Sequence, residues 1–372
     1  VKITCSSSEL LAQLQTVSRV ASTRSAVQAL SGVQVAASEG AVELRATDME
    51  VALRVPLAAD VERPGSAVLP GRLTLDVIRA LPSSQVTLEL RPADQDVEIK
   101  SGSATFHIRT LRSEDFPPLP EPGGDAIVEV PAAAFVETIG RVARSASRDE
   151  TRPILTGILV SASGRDLRMV ATDSYRLSVK ETTLEAELEG TFEANVPARA
   201  LQELARIAQG HAEGPDATLT VGVRANQIVF QVGGAVLSSR LIDGQFPNFR
   251  QLLPDTYEHE LRLAGDELTD VVRRISLLAQ KNAPLRLSFR EGEVTVSAQT
   301  PDVGEASETV PVAFQGEAFE IGFNPEFLRD GLESVETGDL ILKLISPLRP
   351  GLIESADGSG FLYLIMPIRL NV

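Results

Sequence analysis

One pattern written three times along the 372-residue chain constrains its fold more than any other feature. A strand-and-turn signature at residues 44–48 (LRATD) returns at 169–173 (MVATD) and, more weakly, at 296–300 (VSAQT). A proline that opens a helix stands at Pro70, Pro197 and Pro325; the first helical position suits proline because its missing N–H costs nothing there. Residues 115–118 (DFPP) and 245–248 (QFPN) close the first two copies, and 30–35 (LSGVQV) matches 155–160 (LTGILV). The copies lie roughly 125–130 residues apart, the length of an ordinary domain. The same anchors in the same order call for three similar units.

Within each copy an opening strand leads to a helix, several alternating strands, a second helix and further strands. Expected strands include 33–37, 42–46, 86–91, 97–101 and 104–110, matched in the second copy by 158–162, 167–171, 217–223, 227–233 and 236–242. Strand–helix–strand alternation does not run along the chain, so the class is α+β. A Pro/Gly-rich seam at 117–124 and a weaker one near 253–256 divide it into domains 1–121, 122–252 and 253–372.

Charge then poses a problem. The formal net charge is −16, and duplex DNA repels an acidic body. A nucleic-acid role requires the basic residues to gather on one surface. The helices gather them. In 132–147 the apolar set is Phe135, Val136, Ile139, Val142 and Ala143, and an opposite stripe carries Glu137, Arg141, Arg144 and Arg148. In 71–81 Leu73, Val77, Ile78 and Leu81 face inward, with Arg72, Asp76 and Arg79 outward. In 198–209 Leu201, Leu204 and Ile207 face inward, with Arg199, Glu203 and Arg206 outward. The third copy has Leu268, Val271, Val272 and Ile275 inside, against Asp270, Arg273, Arg274 and Lys281. The opening helix, 9–21, carries Arg19, with Arg24 just beyond. Arg19, Arg144 and Arg274 fall at equivalent points, as do Arg72 with Arg199 and Arg79 with Arg206. One arginine on a helix is ordinarily a solvated face; recurrence in an acidic chain points to a common purpose. The helix at 325–335 departs from this, with Arg329 among Glu326, Asp330 and Glu333.

Geometry suggests that purpose. Packed helices lie about 10 Å apart, so six in a circle close at a radius of roughly 10 Å and fill their own hole. Twelve close at roughly 19 Å, leaving about 14 Å after subtracting a helix radius of about 5 Å. A B-form duplex is roughly 20 Å across and fits only the larger circle. Two inner helices per repeat, backed by outer antiparallel sheets, therefore imply a head-to-tail dimeric ring. A basic lining would touch phosphates without reading bases. Strands paired across domain and subunit seams would protect sheet edges.

Residues 366–370 (MPIRL), 171–177 (ATDSYRL) and 245–250 (QFPNFR) resemble the bacterial sliding clamp, the DNA polymerase III beta subunit family, and the resemblance covers essentially the whole chain. It implies a head-to-tail homodimer loaded onto primed DNA by an ATP-driven clamp loader, tethering the replicative polymerase and other clamp-binding proteins. It also implies a peptide cleft built from Leu155, Thr172, Ser174, Tyr175, Arg176, Leu177, Pro247, Leu252, Leu348, Pro350, Met366, Pro367, Ile368 and Arg369. An apolar pocket with a few polar groups can grip a short motif with Leu, Phe or Met anchors. Residues 366–370 could equally pack into their own domain, and the two roles are compatible. Tyr175 stands where family members often carry His. Pro153 and Ile154 replace aromatics that in some members meet single-stranded DNA, so that contact is not carried over. For the subunit seam the resemblance points to Phe106 and Ile108 meeting Leu277 and Leu278 of a second copy.

Enzyme chemistry finds little support. His107, His211 and His259 lack metal-ligand spacing, and neither a phosphate-binding glycine loop nor a nucleophile elbow occurs. Asp48 and Asp173 recur, but Asp is a common turn former. The expectation is a non-catalytic protein without cofactor or metal. The alternatives are a three-repeat protein scaffold, which would not need the basic stripe, and a hydrolase using the turn carboxylates. The lone Cys5, the absence of an apolar run of roughly 18–20 residues, and an opening without a basic, apolar leader suggest a cytoplasmic protein.

Overall fold

Apolar and polar residues alternate through most of the strands, so each strand offers one face to a core and the other to solvent. The computed structural model describes residues 1–372 apart from 23–24, 213, 215, 280–282, 302, 336–337 and 371–372. The first repeat runs β1 (Lys2–Ser6), α1 (Ser7–Val17), β2 (Gly32–Ser38), β3 (Ala41–Thr47), β4 (Val51–Leu57), β5 (Ala59–Arg63), β6 (Gly65–Pro70), α2 (Gly71–Arg79), β7 (Gln85–Arg91), β8 (Asp96–Ser101) and β9 (Ala104–Arg109). The second runs β10 (Ala126–Pro131), α3 (Ala132–Val142), β11 (Gly157–Ser163), β12 (Asp166–Thr172), β13 (Arg176–Thr183), β14 (Phe192–Pro197), α4 (Ala198–His211), β15 (Thr218–Arg224), β16 (Gln227–Val232) and β17 (Ala235–Arg240). The third runs β18 (His259–Ala264), α5 (Gly265–Ser276), β19 (Leu285–Arg290), β20 (Glu293–Thr300), β21 (Gly304–Pro311), β22 (Phe319–Phe323), α6 (Pro325–Ser334), β23 (Asp339–Leu344), β24 (Gly351–Ser355) and β25 (Phe361–Ile365). Each repeat contributes two α-helices among the described residues, and every ladder is antiparallel.

The chain forms two compact units, 1–133 with 203–241, and 134–202 with 242–372. In the first unit, one sheet has the order β5-β1-β7-β8-β9 and the other β10-β15-β16-β17-β4-β3-β2-β6. Its seam is the pairing of β17 with β4, which sets Val236 opposite Arg54 and Ser239 opposite Val51. In the second unit the sheets are β14-β11-β12-β13-β25-β24-β23-β18 and β21-β20-β19-β22. Its seam is β25 on β13, with Arg176 opposite Ile365 and Lys180 opposite Phe361. Both seams follow one rule: the closing strand of a repeat pairs with the strand of the preceding repeat that follows the ATD turn or its equivalent. Strand pairing across repeats, anticipated from the sequence, is thus present twice.

Several local expectations are corrected. Pro70 and Pro197 end strands β6 and β14, just before α2 and α4; only Pro325 lies in the first turn of its helix. There Asn324 caps α6 by accepting from the Phe327 N–H at 3.1 Å. In α2 the inward set is Gly71, Thr74 and Ile78, whereas Leu73 is 52% exposed. The first helix ends at Val17, so Arg19 lies in the following turn. Helix α3 ends at Val142 and passes into a short 3-10 turn, Ala143–Ser145, where the Ser145 hydroxyl bonds the buried Ser178 hydroxyl at 2.6 Å. That anchor draws the chain onto the sheet and breaks the stripe of four- and three-residue steps. Thr138, not Val136, completes the inner face of α3, because its hydroxyl is satisfied by Ala134 O and Thr182.

Candidate peptide cleft and nucleic-acid face

The ATD turn is the element that builds the cleft. Thr172 Oγ1 donates to Arg176 O at 2.7 Å, and Asp173 Oδ1 accepts from the N–H groups of Tyr175 and Arg176 at 2.9 and 3.0 Å. Ser174 takes a left-handed conformation, φ 80°. Thr47, Asp48 and Met49 repeat this arrangement atom for atom, with Met49 at φ 79°. Both aspartates therefore serve backbone amides, which is a turn's chemistry and not a nucleophile's.

The second copy of the turn projects Tyr175, 59% exposed, over a cavity of about 710 Å³. Leu177 and Leu364 lie at its buried side, while Leu252, Leu348 and Met366 are at least 42% exposed along it. Beneath them a buried cluster of Val170, Leu177, Val179, Phe246, Phe249, Leu352 and Leu364 fixes the walls. Arg176 is only 8% exposed; its guanidinium lies 4.3 Å from the Phe327 ring centre and pairs with Asp173 and Asp330. Polar and apolar walls thus converge on one opening large enough for several side chains.

Of the residues anticipated for this cleft, Thr172, Ser174, Tyr175, Arg176, Leu177, Leu252, Leu348, Pro350 and Met366 line the cavity. Leu155, Pro247, Pro367, Ile368 and Arg369 do not. Leu155 is packed into the interior, and the Ile368 N–H donates to Gly322 O at 2.7 Å, tying the C-terminal segment to β22. Residues 366–370 therefore both line the cleft, through Met366, and pack into their own repeat, through Ile368. Sequence reading missed Gln251, Leu253, Pro254, Asp255, Thr256, Glu258, Ile345, Arg349 and Leu364. Most of them lie in or beside the seam at 253–256, and that seam was the only sequence signal for them.

The arginines divide into distinct environments. In the first unit Arg19, Arg72, Arg79 and Arg206 are exposed; Arg79 meets Asp76 at 3.1 Å, and Arg206 meets Glu203 on the same helix. In the second unit Arg141 is not a surface cation. It is 6% exposed, bonded to Glu137 Oε1 at 2.8 Å and Ser334 O at 2.6 Å, because α3 ends one residue later and its last turn faces inward. Arg144 pairs with Glu333 and lies 3.7 Å from Asp330. Arg273 also binds Glu333, at 2.9 Å, and Arg274 binds Glu308 at 2.6 Å. Arg148 and Arg199 are exposed. Arg24 and Lys281 lie outside the described residues. Burial raises the Glu333 carboxyl, but the two guanidinium groups outweigh it and hold that carboxyl below its usual range. The hydrogen bond from Arg274 does the same to Glu308.

At the proposed subunit seam, Phe106 is half-buried and Leu277 is 83% exposed. Ile108 instead faces the core of the first sheet, and Leu278 is half-buried with its carbonyl accepting from Thr300. Strands β9 and β21 are end strands of their sheets. Among the described residues no cluster of three or more His, Cys, Asp or Glu could hold a metal ion, and no helix is long and apolar enough to cross a membrane.

Fold and cleft together define a three-repeat, sheet-seamed α+β clamp. Residues 1–120, 129–248 and 250–369 match, in order, the N-terminal, central and C-terminal domains of the DNA polymerase III beta subunit. The beta sliding clamp of Synechococcus elongatus is 33% identical over 378 residues, covering all of both chains. The crystal structure of the Bacillus subtilis DNA polymerase sliding clamp superposes with a TM-score of 0.90 at 26% identity, covering 100% of this chain and 99% of that one. A Pseudomonas aeruginosa sliding clamp solved bound to griselimycin gives 0.88 at 28% identity, with 99% of each chain covered. The chain belongs to the DNA polymerase III beta subunit family, the beta sliding clamps. Its function is accordingly that of a DNA polymerase processivity factor, a non-catalytic one.

Proposed function

We propose that two copies of this chain close head to tail into a ring around duplex DNA, without reading its sequence, and tether the replicative polymerase through the cleft beside Tyr175. The clamp loader and other proteins carrying a clamp-binding motif use the same cleft, and the protein acts in the cytoplasm. One observation carries the ring. The closing strands β17 and β25 each pair with the strand after the turn in a neighbouring repeat, β4 and β13. The remaining closing strand, β9, and the remaining acceptor, β21, are both left at sheet ends. Applying the same rule once more joins β9 of one copy to β21 of the next. Charge supports that pairing: β9 bears Arg109, and β21 bears Glu305 and Glu308. A heterologous contact of this kind closes into a ring when its rotation allows. Phe106 and Leu277 would then be covered, and domains bounded at 1–121, 122–252 and 253–372 would repeat around the circle.

In this reading the exposed Arg19, Arg72, Arg79, Arg148, Arg199 and Arg206 face the phosphates. The test is topological. The loaded protein should remain on nicked circular DNA and leave when the circle is cut. Departure at equal rates from circles and linear duplexes would refute encirclement.

A further inference from the structure

The first unit contains a counterpart of the cleft, and that counterpart is already filled. In the second unit the turn at 172–177 and the closing strand β25 wall the cleft; in the first unit the turn at 47–52 and the closing strand β17 wall a smaller opening. The Met366 N–H donates to Tyr175 O at 2.9 Å, and the Arg240 N–H donates to Glu50 O at 2.9 Å. Strand register extends the match. Ala52 lies opposite Ser238, as Leu177 lies opposite Leu364. Glu50, Ala52, Ser238 and Arg240 thus hold the places of Tyr175, Leu177, Leu364 and Met366. The second-unit cavity measures about 710 Å³, but its counterpart only about 120 Å³. Against the first-unit wall lie Pro117, Pro118, Leu119 and Pro120 of the linker. We infer that this counterpart is a second peptide site with a specificity of its own. It takes an extended proline-rich segment ending in a carboxylate, and the linker 117–121 is the segment it holds. This rests on reading the Tyr175 opening as a peptide cleft and goes beyond it.

Arg54 decides the specificity. By strand register it stands where the second unit has Val179, a member of the buried cluster beneath the cleft. The Arg54 side chain is 8% exposed. Its Nη2 donates to Leu119 O at 2.8 Å and to Pro120 O at 2.5 Å. Nη1 and Nη2 also reach the two carboxylate oxygens of Glu121, at 3.1 and 2.9 Å. A planar guanidinium fork matches a carboxylate in this two-pronged way, and such charge-assisted bonds are among the stronger ones. Leu119 adds an apolar anchor, packed against Ala29, Val68 and Phe116. Proline-rich segments favour an extended conformation before docking, so they lose little entropy. A peptide with Leu or Phe anchors meets the opposite conditions here. Ala52 and Ser238 offer it little apolar surface, and Glu50 pairs with Arg240 at 3.4 Å across the mouth. Each chain therefore presents such partners with one cleft instead of two.

The test uses the full-length protein with residues 117–121 replaced by Gly-Ser-Gly-Ser-Gly. The probe is a fluorescein-labelled peptide with the sequence of residues 117–122 (PPLPEP). Fluorescence anisotropy should show saturable binding to the replaced protein, one peptide per chain, and none to wild type, whose own linker fills the site. Adding Arg54→Met should weaken that binding about tenfold or more. No binding to the folded replacement, or binding indifferent to Arg54→Met, overturns the site. Should the replacement not fold, Leu119→Ser combined with Glu121→Gln removes the same anchors by point substitution, at half-buried and 75% exposed side chains, and is held to the same results. A Leu-anchored peptide is titrated in parallel and should bind wild type and replaced protein alike, at one per chain. Two per chain on the replaced protein overturns the specificity. Failure of that peptide to bind wild type sinks the cleft reading, while the PPLPEP result decides the first-unit site on its own.

Discussion

Arg176 donates from Nη1 to Asp330 Oδ2 at 2.6 Å, with the two side chains 8% and 14% exposed. Through this contact a side chain of the cleft wall is fastened to α6. The same guanidinium donates from Nη2 to Arg144 O and from Nε to Asp173 Oδ2. Breaking a buried pair by removing one partner leaves an uncompensated charge, at a cost of roughly 3–5 kcal/mol. Arg176→Ala should therefore destabilise the protein by about 3 kcal/mol, read as a lower urea midpoint. Arg176→Met should lose less, because its stem still packs on Phe327.

Gly331 on α6 faces the Tyr363 ring so closely that a Cβ would lie 2.5 Å from Cδ1 and Cε1. Tyr363 is fully buried, and its hydroxyl is tied to Phe327 O at 2.7 Å, so the ring cannot retreat. Alanine ordinarily gains about 0.8–1 kcal/mol over glycine in a helix. Overpacking costs about 1–3 kcal/mol and wins here. Gly331→Ala should lower stability by about 1–2 kcal/mol in denaturant titration, where an exposed helical glycine would give a gain.

Leu252 and Leu348 are 50% and 64% exposed beside the cleft, so they contribute little to folding. Leu252→Ala and Leu348→Ala should each weaken a peptide with Leu or Phe anchors about tenfold, near 1.4 kcal/mol. Melting temperatures should not move. Calorimetric titration with wild-type affinity for both variants would rule out the cleft.

Glu333 has its carboxyl held below the ordinary 4.5 by Arg144 and Arg273 against the effect of burial. A depressed folded-state value means stability that is present above 4.5 and lost as pH falls through the folded-state value. Glu333→Gln should therefore be less stable than wild type at neutral pH, with the gap closing in acid. A gap independent of pH would show that the pair does not contribute.

Cys5 is the only cysteine and is buried in β1. Burial, with Glu9 adding to it, pushes its thiol up to about 12. The thiolate is the reactive form, so a disulfide reagent near neutral pH should label the native protein very slowly and the urea-unfolded protein at once.

Three repeats, two helices in each, the α+β class and the strands were legible in the sequence, because binary patterning and turn chemistry are local and each repeat states them again. The turn at 171–177 was legible for the same reason, since Thr172 and Asp173 shape it through bonds to their own neighbours; that a cleft lies beside it came only from the family resemblance of the segment. The assignment of charge was not legible. Helical periodicity places Arg141, Arg144 and Arg148 on one face, yet Arg141 is buried, Arg144 is paired and Arg148 is open. What separated them was the end of α3 at Val142 and carboxylates that arrive from α6, roughly 190 positions further along the chain. Sequence fixes which residues carry charge and which segments bury; only the tertiary structure brings distant acids to particular arginines, because ion pairing depends on a few ångströms of separation that no local pattern encodes.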